Sequence, residues 1–571
     1  LAEGAGYCTE IWVNNNPPEG WLDQPNHVDS IQAGINAVSP GGRVYVIGTD
    51  GQIYEENVVV DKSIDLIGID NPTIRAGGTY VVKIESDWAR IDGFVIEGNS
   101  AQNGIYVENA ARCRIVNCTI TNTTRMGIHF SSSHNNTVQN NVIYDTTYGI
   151  YAGWSLGNRI IDNEIYSTNY AVYLYRSSLA TISDNTIHNN GEGIYMEALE
   201  QSTIYNNSIF NNTGDGIHMI SSTNRNTILE NLIRNNSNGI HLEISNSNII
   251  INNTLLQNSA SAIYIEDFSH SNTIRGNTMS YNTYGLNFVN SSNNGVLYND
   301  IENNQYGIYS VSSSSNVFQI NTICNNTGVG ISFLSSSNNN LIYSTVIRNN
   351  SGGIYIYSSL NNTIEENNII LNNGEGIYLQ YSMSGFPGVN RITNNTIALN
   401  NGTAIYIVSS DGNIISRNAI YGNGGEGIKL YSSSDENNIT HNTIYNNSYG
   451  IYLSRASYNT IINNTIYHTS EHGIALFSYS SENDIIANTV NDSKDGVHLE
   501  YSNINDIINN TIFRNSQNGV YLAYSDLNTI SNNTIHSNDG EGILLISCDE
   551  NSITNNTIYN CLLYTSPSPR D

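Results

Sequence analysis

The sequence predicts an all-β chain wound as a single-stranded parallel β-helix, a solenoid of about 22 coils of about 23 residues with three short strands per coil. Two observations carry that expectation. A Gly-Ile type pair returns about every 23 residues, at Gly104, Gly127, Gly149, Gly193, Gly216, Gly239 and onward to Gly542, with Ala171, Ala262 and Ala404 filling three slots of the series. Between these anchors lie short runs such as Asn509-Asn510-Thr511-Ile512-Phe513 and Gly519-Val520-Tyr521-Leu522, each bounded by Asn, Ser or Gly. Helical solenoids need longer segments with apolar residues three and four apart, and the chain has none of that spacing in the array.

Strand parity assigns the faces. Alternate side chains point to opposite sides of a strand. In Asn-Thr-Ile the Ile faces in, so the Asn also faces in and the Thr faces out. In Gly-Ile-Tyr-Leu the Ile and Leu face in and the Tyr faces out. Stacking identical coils then builds Ile and Leu ladders in the core and Asn ladders at the corners, where each amide bonds its neighbours above and below. The anchor glycine is expected either to supply a positive φ or to let a corner close tightly.

Three segments are expected. Residues 1–43 form an N-terminal segment with a capping helix, 44–560 the β-helix, and 561–571 a non-native tail. Asp29 to Val38 reads as a short amphipathic helix with Asp29 as N-cap, stopped by Ser39-Pro40-Gly41-Gly42. It would cover the open first edge of the stack. The run Cys561 to Asp571 breaks the register with Pro567 and Pro569 and resembles translated sequencing-adapter sequence. The start at Leu1 reads as a mature or clipped form of a longer precursor. Near Ser382 to Val389 the period stretches by about five residues, the size of a corner loop.

Composition narrows the partners. The 571 residues carry a net charge of −29 although only 12% are charged. The lysines are Lys62, Lys83, Lys429 and Lys494. Nucleic acid and anionic membrane surfaces need clustered Lys and Arg, so neither is an expected partner. No apolar run is long enough to span a bilayer. Asn makes up roughly a sixth of the chain, far above ordinary usage. The cysteines lack a CxxC, and Cys113 and Cys118 are assigned opposite parity, so they are expected to be buried thiols that do not bridge.

The opening carries a family resemblance. Ser30-Ile31-Gln32-Ala33-Gly34-Ile35-Asn36-Ala37-Val38-Ser39-Pro40-Gly41-Gly42, then Val44-Tyr45-Val46, then Tyr54 to Gly68 closely resemble the start of NosD-like right-handed β-helix proteins, and the Asn-Thr-Ile and Gly-Ile-Tyr-Leu coils resemble the same pectate-lyase-like group. The resemblance implies a right-handed coil. It also implies surface or periplasmic carbohydrate-associated roles, and a link to copper supply through the family's namesake. Arrays this rich in Asn resemble large surface proteins of methanogenic archaea.

Candidate sites lie on the outward face beside the glycine. Tyr195, Tyr264, Tyr309, Tyr355, Tyr378 and Tyr406 share one slot, with His129, His218, His241 and His498 in the same slot of other coils. Two residues on, the same face carries Glu108, Glu197, Glu243, Glu266 and Glu500. Aromatics interleaved with carboxylates suit sugar rings and their hydroxyls, although Tyr also simply favours strands. Glu243 and Glu266 in adjacent coils, and Glu192 with Asp215, are the candidate catalytic pairs, since two carboxylates about 5 Å apart suit a retaining glycosidase or a cation. His472 and Asp495 form a third pairing. Acids recur at several heights and no one level stands out. The Asp-Pro-His-Asp signature of alginate epimerases is absent, so the reading leans away from a lyase, hydrolase or epimerase. His218 and His241 stack as candidate metal ligands, incomplete unless Glu243 joins them. No cofactor is expected.

About twenty Asn-X-Ser/Thr sequons occur. Asn252, Asn394, Asn463, Asn509, Asn532 and Asn555 face out beside their Thr and are the expected glycosylation sites. The functional expectation is an extracellular, cell-surface structural or binding protein. It would be glycosylated, belong to an envelope or filament, and contact an envelope glycan or further copies of itself. A polysaccharide-active enzyme or carbohydrate-binding β-helix is the first alternative, and a periplasmic copper-handling protein the second.

Overall fold

The computed structural model describes residues 8–49, 51–382 and 389–562. Most of the stretched period, residues 383–388, and most of the anomalous tail, residues 563–571, lie outside the described residues. The chain divides into two compact units, Leu1–Thr283 and Tyr284–Asp571. Each is a parallel β-solenoid, and together they contain about 22 turns.

One turn of the second unit shows the plan. Strands Asp506–Ile508, Thr511–Phe513 and Val520–Ala523 follow one another around the turn. Each pairs in parallel with its equivalent in the next turn, so that Ile507 lies over Ile530, Ile512 over Ile535 and Leu522 over Leu545. In the first unit Ile204 lies over Ile228 and Ile209 over Ile233 in the same way. Nearly all of these side chains are fully buried. In two turns of the first unit the second and third segments run together as one strand, Val142–Gly153 and Glu164–Tyr175.

Four polar columns line the inside of the corners. The inward Asn of one turn accepts from the backbone N–H and the side-chain amide of the turn before it, and donates to carbonyls. Asn442 N and Nδ2 donate to Asn464 Oδ1 at 2.9 and 3.0 Å, and Asn464 Nδ2 donates to Ile439 O at 2.9 Å. A serine column does the same with hydroxyls, as where Ser155 N donates to Ser177 Oγ at 3.0 Å. Cysteines enter these columns: Cys113 N and Cys118 N donate to Asn136 and Asn141 at 2.8 and 2.9 Å. Cys113 and Cys118 therefore both face inward. The opposite parity expected for them fails because a corner, not an uninterrupted strand, separates them. Burial pushes their thiols up to about 11 and about 12, and every cysteine of the described residues is free.

The corners correct a second expectation. None of the anchor glycines has a positive φ. The left-handed residue is the one ahead of each inward column residue, and it is usually not glycine: Tyr501, Ile504, Asn509 and Arg514 have φ of 51°, 59°, 58° and 53° in one turn. The anchor glycine is needed for closeness instead. A Cβ on Gly450 would lie 2.4 Å from Gly473 O and 2.4 Å from Ile466 Cγ2. Ala171, Ala262 and Ala404 occupy the slot fully buried, so the stack can yield. Gly450→Ala is accordingly expected to cost about 1–3 kcal/mol by overpacking. Chemical denaturation would check this, and an unchanged midpoint would remove the close-packing explanation.

The N-terminal helix spans Ile31–Ala37, and its N-cap is Ser30, not Asp29: Ser30 Oγ accepts from Ala33 N. Gly34 sits against Val13 and Val44, where a Cβ would be 2.9 and 3.0 Å from their methyls. The helix ends are satisfied by the first turns. Glu56 accepts from Ile31 N and Gln32 N at 2.7 and 3.0 Å. Lys62 Nζ donates to Ile35 O and Asn36 O at 2.8 and 2.9 Å, which places opposite charges at the two ends of the helix dipole. No helix among the described residues is long and apolar enough to cross a membrane.

Candidate functional site

Because every turn presents the same slot outward, the rings stack into ladders. In the first unit Tyr151, Tyr173 and Tyr195 stack at 5.4 and 4.8 Å between centroids. Tyr195 meets His218 edge-on at 5.0 Å, His218 stacks on His241 at 4.3 Å, and His241 stacks on Tyr264 at 4.8 Å. In the second unit Tyr355, Tyr378 and Tyr406 stack at 5.2 and 5.1 Å, and the Lys429 ammonium lies 5.4 Å from the Tyr406 ring. Tyr309 stands apart from that run, because Ser332 follows it in the slot before Tyr355. Within a stacked run the ring faces cover one another, and edges and hydroxyls are what reach outward.

One interruption opens the ladder. The slot before the anchor holds glycine at Gly352, and a depression of about 240 Å³ forms there, lined by Val329, Gly352, Ile354, Tyr355, Glu375 and Tyr378. It is smaller than the roughly 300–1,000 Å³ of a drug-sized pocket, so it suits a single ring.

The paired acids come together differently from the carboxylate pairs expected. Glu243 and Glu266 are register partners, but each faces an imidazole. Glu266 Oε1 lies 2.9 Å from His241 Nε2 and its other oxygen accepts from the Tyr264 hydroxyl. Glu243 Oε2 lies 3.7 Å from His218 Nε2, an atom with no hydrogen-bond partner. Glu192 and Asp215 are also adjacent, but Glu192 Oε2 accepts the backbone N–H of Asp215 at 2.8 Å. Asp215 Oδ2 faces His241 Nδ1 at 2.8 Å, and its Oδ1 accepts from Asn238 N and Nδ2, both at 2.9 Å.

Electrostatics follow from this arrangement. Burial, then the charge of Asp215, pushes Glu192 up to about 7. Burial works to raise Asp215, yet the bond and charge of His241 outweigh it and hold the carboxyl below its ordinary value. His241 is the converse, with burial opposing it and Asp215 and Glu266 together raising it. Burial, reinforced by the charge of His241, pushes His218 down to about 4. Asp215, His218, His241 and Glu266 thus form one network. The Asp215–His241 contact was missed in the sequence: the Asp-Gly-Ile-His run at 215–218 marks only the looser approach of His218, at 3.8 Å, and His241 joins from the same slot of the next turn.

His129, outside that network, gives a pH prediction. It stacks on Tyr106 at 4.8 Å and meets Tyr151 edge-on. Burial, then the charge of Arg125, pushes it down to about 4 against a small opposing pull from Glu108. The folded value is below the unfolded one near 6.5, so protons favour the unfolded chain. Stability from this group is full above about pH 6.5 and declines as pH falls toward about 4, by at most on the order of 3 kcal/mol. Urea unfolding at about pH 7.5 and about pH 5 should show a smaller pH dependence for His129→Tyr than for the native chain. Equal dependence would remove His129 from the account.

All six expected glycosylation asparagines are exposed, and all occupy left-handed corners, with φ between 54° for Asn252 and 58° for Asn509.

The residues 80–233, 334–490, 382–525 and 485–565 match the family model of the right-handed β-helix region, more than half of the chain. The chain belongs to that family. Residues 210–346 and 265–400 also match the model of the periplasmic copper-binding protein NosD. A cell surface glycoprotein of Methanothermus fervidus is 36% identical over 85 residues, 14% of this chain, and the chain spans 13% of that protein's length. Among solved structures, DFA-IIIase from Arthrobacter chlorophenolicus A6 without its lid covers 51% of this chain and 94% of its own at 12% identity, with a TM-score of 0.41. The Dettilon tailspike protein covers 61% and 68% at 16% identity, also with a TM-score of 0.41.

The NosD match raises copper. One ligand atom from each of Asp215, His218 and His241 lies within 4.8 Å of the others. Imidazole with carboxylate suits a divalent ion such as Cu²⁺ or Zn²⁺. The thioethers of Met196 and Met219, which would suit Cu⁺, are fully buried in the core. The residues fit the divalent ion.

Proposed function

We propose that the chain is an exported cell-surface β-helix that binds polysaccharide along its tyrosine and carboxylate face and carries N-linked glycans at exposed corners. In this reading each coil is a three-segment turn, and the helix Ile31–Ala37 covers the first one. The depression framed by Tyr355, Tyr378 and Glu375 carries the binding proposal, because Gly352 uncovers ring surface there beside a carboxylate. Elsewhere on the ladder a glycan meets ring edges, since the stacked faces are closed and Glu197 and Glu266 already accept from the Tyr173 and Tyr264 hydroxyls. The surface location is supported by the relative named a cell surface glycoprotein and by the corner asparagines.

Affinity electrophoresis against neutral and acidic polysaccharides tests the binding. Retention is expected, and Gly352→Tyr, which restores the residue found at Tyr306 and Tyr449 in this slot, should reduce it at least several-fold. A native-like variant retained as strongly as the parent, or no retention of the parent by any polysaccharide, overturns the reading. Glycopeptide analysis of native material tests the corners. Neighbouring Asn509, Asn532 and Asn555 should show partial occupancy because glycans on adjacent turns collide.

A second reading is copper handling, favoured by the donor set of Asp215, His218 and His241 within the NosD match. Cu²⁺ binding lost in His241→Ala would support it, and binding unaffected by that change would exclude this site.

A further inference from the structure

The slot before the anchor glycine holds aspartate in two turns, at Asp215 and Asp495. In both, the residue three places on is histidine, His218 and His498. In both, the next turn offers asparagine, Asn238 and Asn518. The second case lies in the second unit and outside the NosD match.

There, Asp495 Oδ1 accepts from Asn518 N and Nδ2 at 2.8 and 2.9 Å. That fixes the carboxylate and turns Oδ2 toward two imidazoles, His498 Nδ1 at 2.9 Å and His472 Nδ1 at 3.1 Å. The rings of His472 and His498 stack at 4.0 Å, and Tyr521 covers the other face of His498 at 4.6 Å. Asp495 and His472 are buried, while His498 is partly open to the outside. The neighbouring cation, Lys494, is engaged by Glu471 at 3.3 Å.

The two nodes reach this geometry by different routes. At Asp215 the second imidazole comes from the following turn, as His241. At Asp495 it comes from the preceding turn, as His472. What is shared is a carboxylate with one oxygen clamped by asparagine and the other presented to two ring nitrogens. The Asp495 backbone N–H also points at His472 Nδ1, at 3.4 Å. One ligand atom from each of His472, Asp495 and His498 lies within 4.8 Å of the others, so a divalent cation in place of the ring protons would meet all three. Metal–ligand distances of about 2.0–2.2 Å place the donors of a tetrahedral ion about 3.3–3.6 Å apart, so the separations of 2.9 and 3.1 Å here would open by well under about 1 Å on binding.

We propose that His472, Asp495 and His498 form a binding site for a divalent transition-metal ion, with Asn518 as the group that orients the carboxylate. Three protein ligands leave a position for water or an external ligand on the open side of His498. The proposal is independent of the glycan reading.

The test uses the full chain, stripped with chelator and titrated with Zn²⁺ alone. His498→Tyr places in the slot the residue found at Tyr521, so the ladder and fold are preserved while a ligand is lost. His498→Tyr and Asp495→Asn should each weaken one Zn²⁺ by about 100-fold or more, and Asn518→Ala by about 10- to 100-fold. Asp215→Asn should leave that ion in place. Co²⁺ bound to the unaltered chain should give the intense visible bands of a four-coordinate ion. Failure to retain Zn²⁺, affinity unchanged in a folded His498→Tyr protein, or a Co²⁺ spectrum of the hydrated ion overturns the site and leaves a buried histidine–aspartate pair.

Discussion

Replacing Asn464 by alanine should cost about 3–6 kcal/mol. The change removes the acceptor of Asn442 N and Nδ2 and the amide that serves Ile439 O. Asn464 is 1% exposed, so water does not replace these partners without opening the turn. Each buried group left unpaired costs roughly 1–3 kcal/mol. The adjacent Asn463 is the control. It is exposed with φ 54°, and Ala487 already fills the equivalent corner of the next turn. Asn463→Ala should therefore cost about 1 kcal/mol. Amide exchange should accelerate in the turns around residues 438–488 for Asn464→Ala and remain near native for Asn463→Ala. Similar losses for both would mean that the columns follow the fold and do not hold it.

Asp215→Ala should cost about 3–5 kcal/mol in the metal-free chain. The substitution strips His241 of one carboxylate and leaves Asn238 N and Nδ2 without their acceptor. The remaining pair, His241 with Glu266, keeps its 2.9 Å contact but loses the partner that orients the ring. Asp215→Asn keeps an oxygen for Asn238 and should recover part of the loss. Denaturation midpoints with amide exchange in the turns from Glu192 to Glu266 distinguish the two. A loss below about 1 kcal/mol for Asp215→Ala would show the network to be dispensable for the fold.

The architecture was legible because each turn repeats the same local choices. The aliphatic at Ile512 recurs at Ile535 and the amide at Asn510 at Asn533, so period alone places them over one another. The column in Asn-Asn-Thr-Ile follows from parity, as does the outward tyrosine. Corners were less legible. Tyr501 and Ile504 look like strand residues, and their left-handed backbone is imposed by the inward residue that follows each of them. The glycine's role was legible only as a pair of alternatives, since the approach of Gly473 O to Gly450 belongs to the next turn.

The candidate site divides along the same line. Sequence alone determined which residues share a slot: Tyr355, Tyr378 and Tyr406, His218 and His241, Glu243 and Glu266. Only the tertiary structure decided what they do to one another. It closed the ring faces by stacking, diverted Glu266 to His241, and turned Asp215 and Asp495 each toward two imidazoles. The physical reason is that a repeat specifies height and face, while hydrogen bonds a few ångströms long are set by side-chain direction between turns.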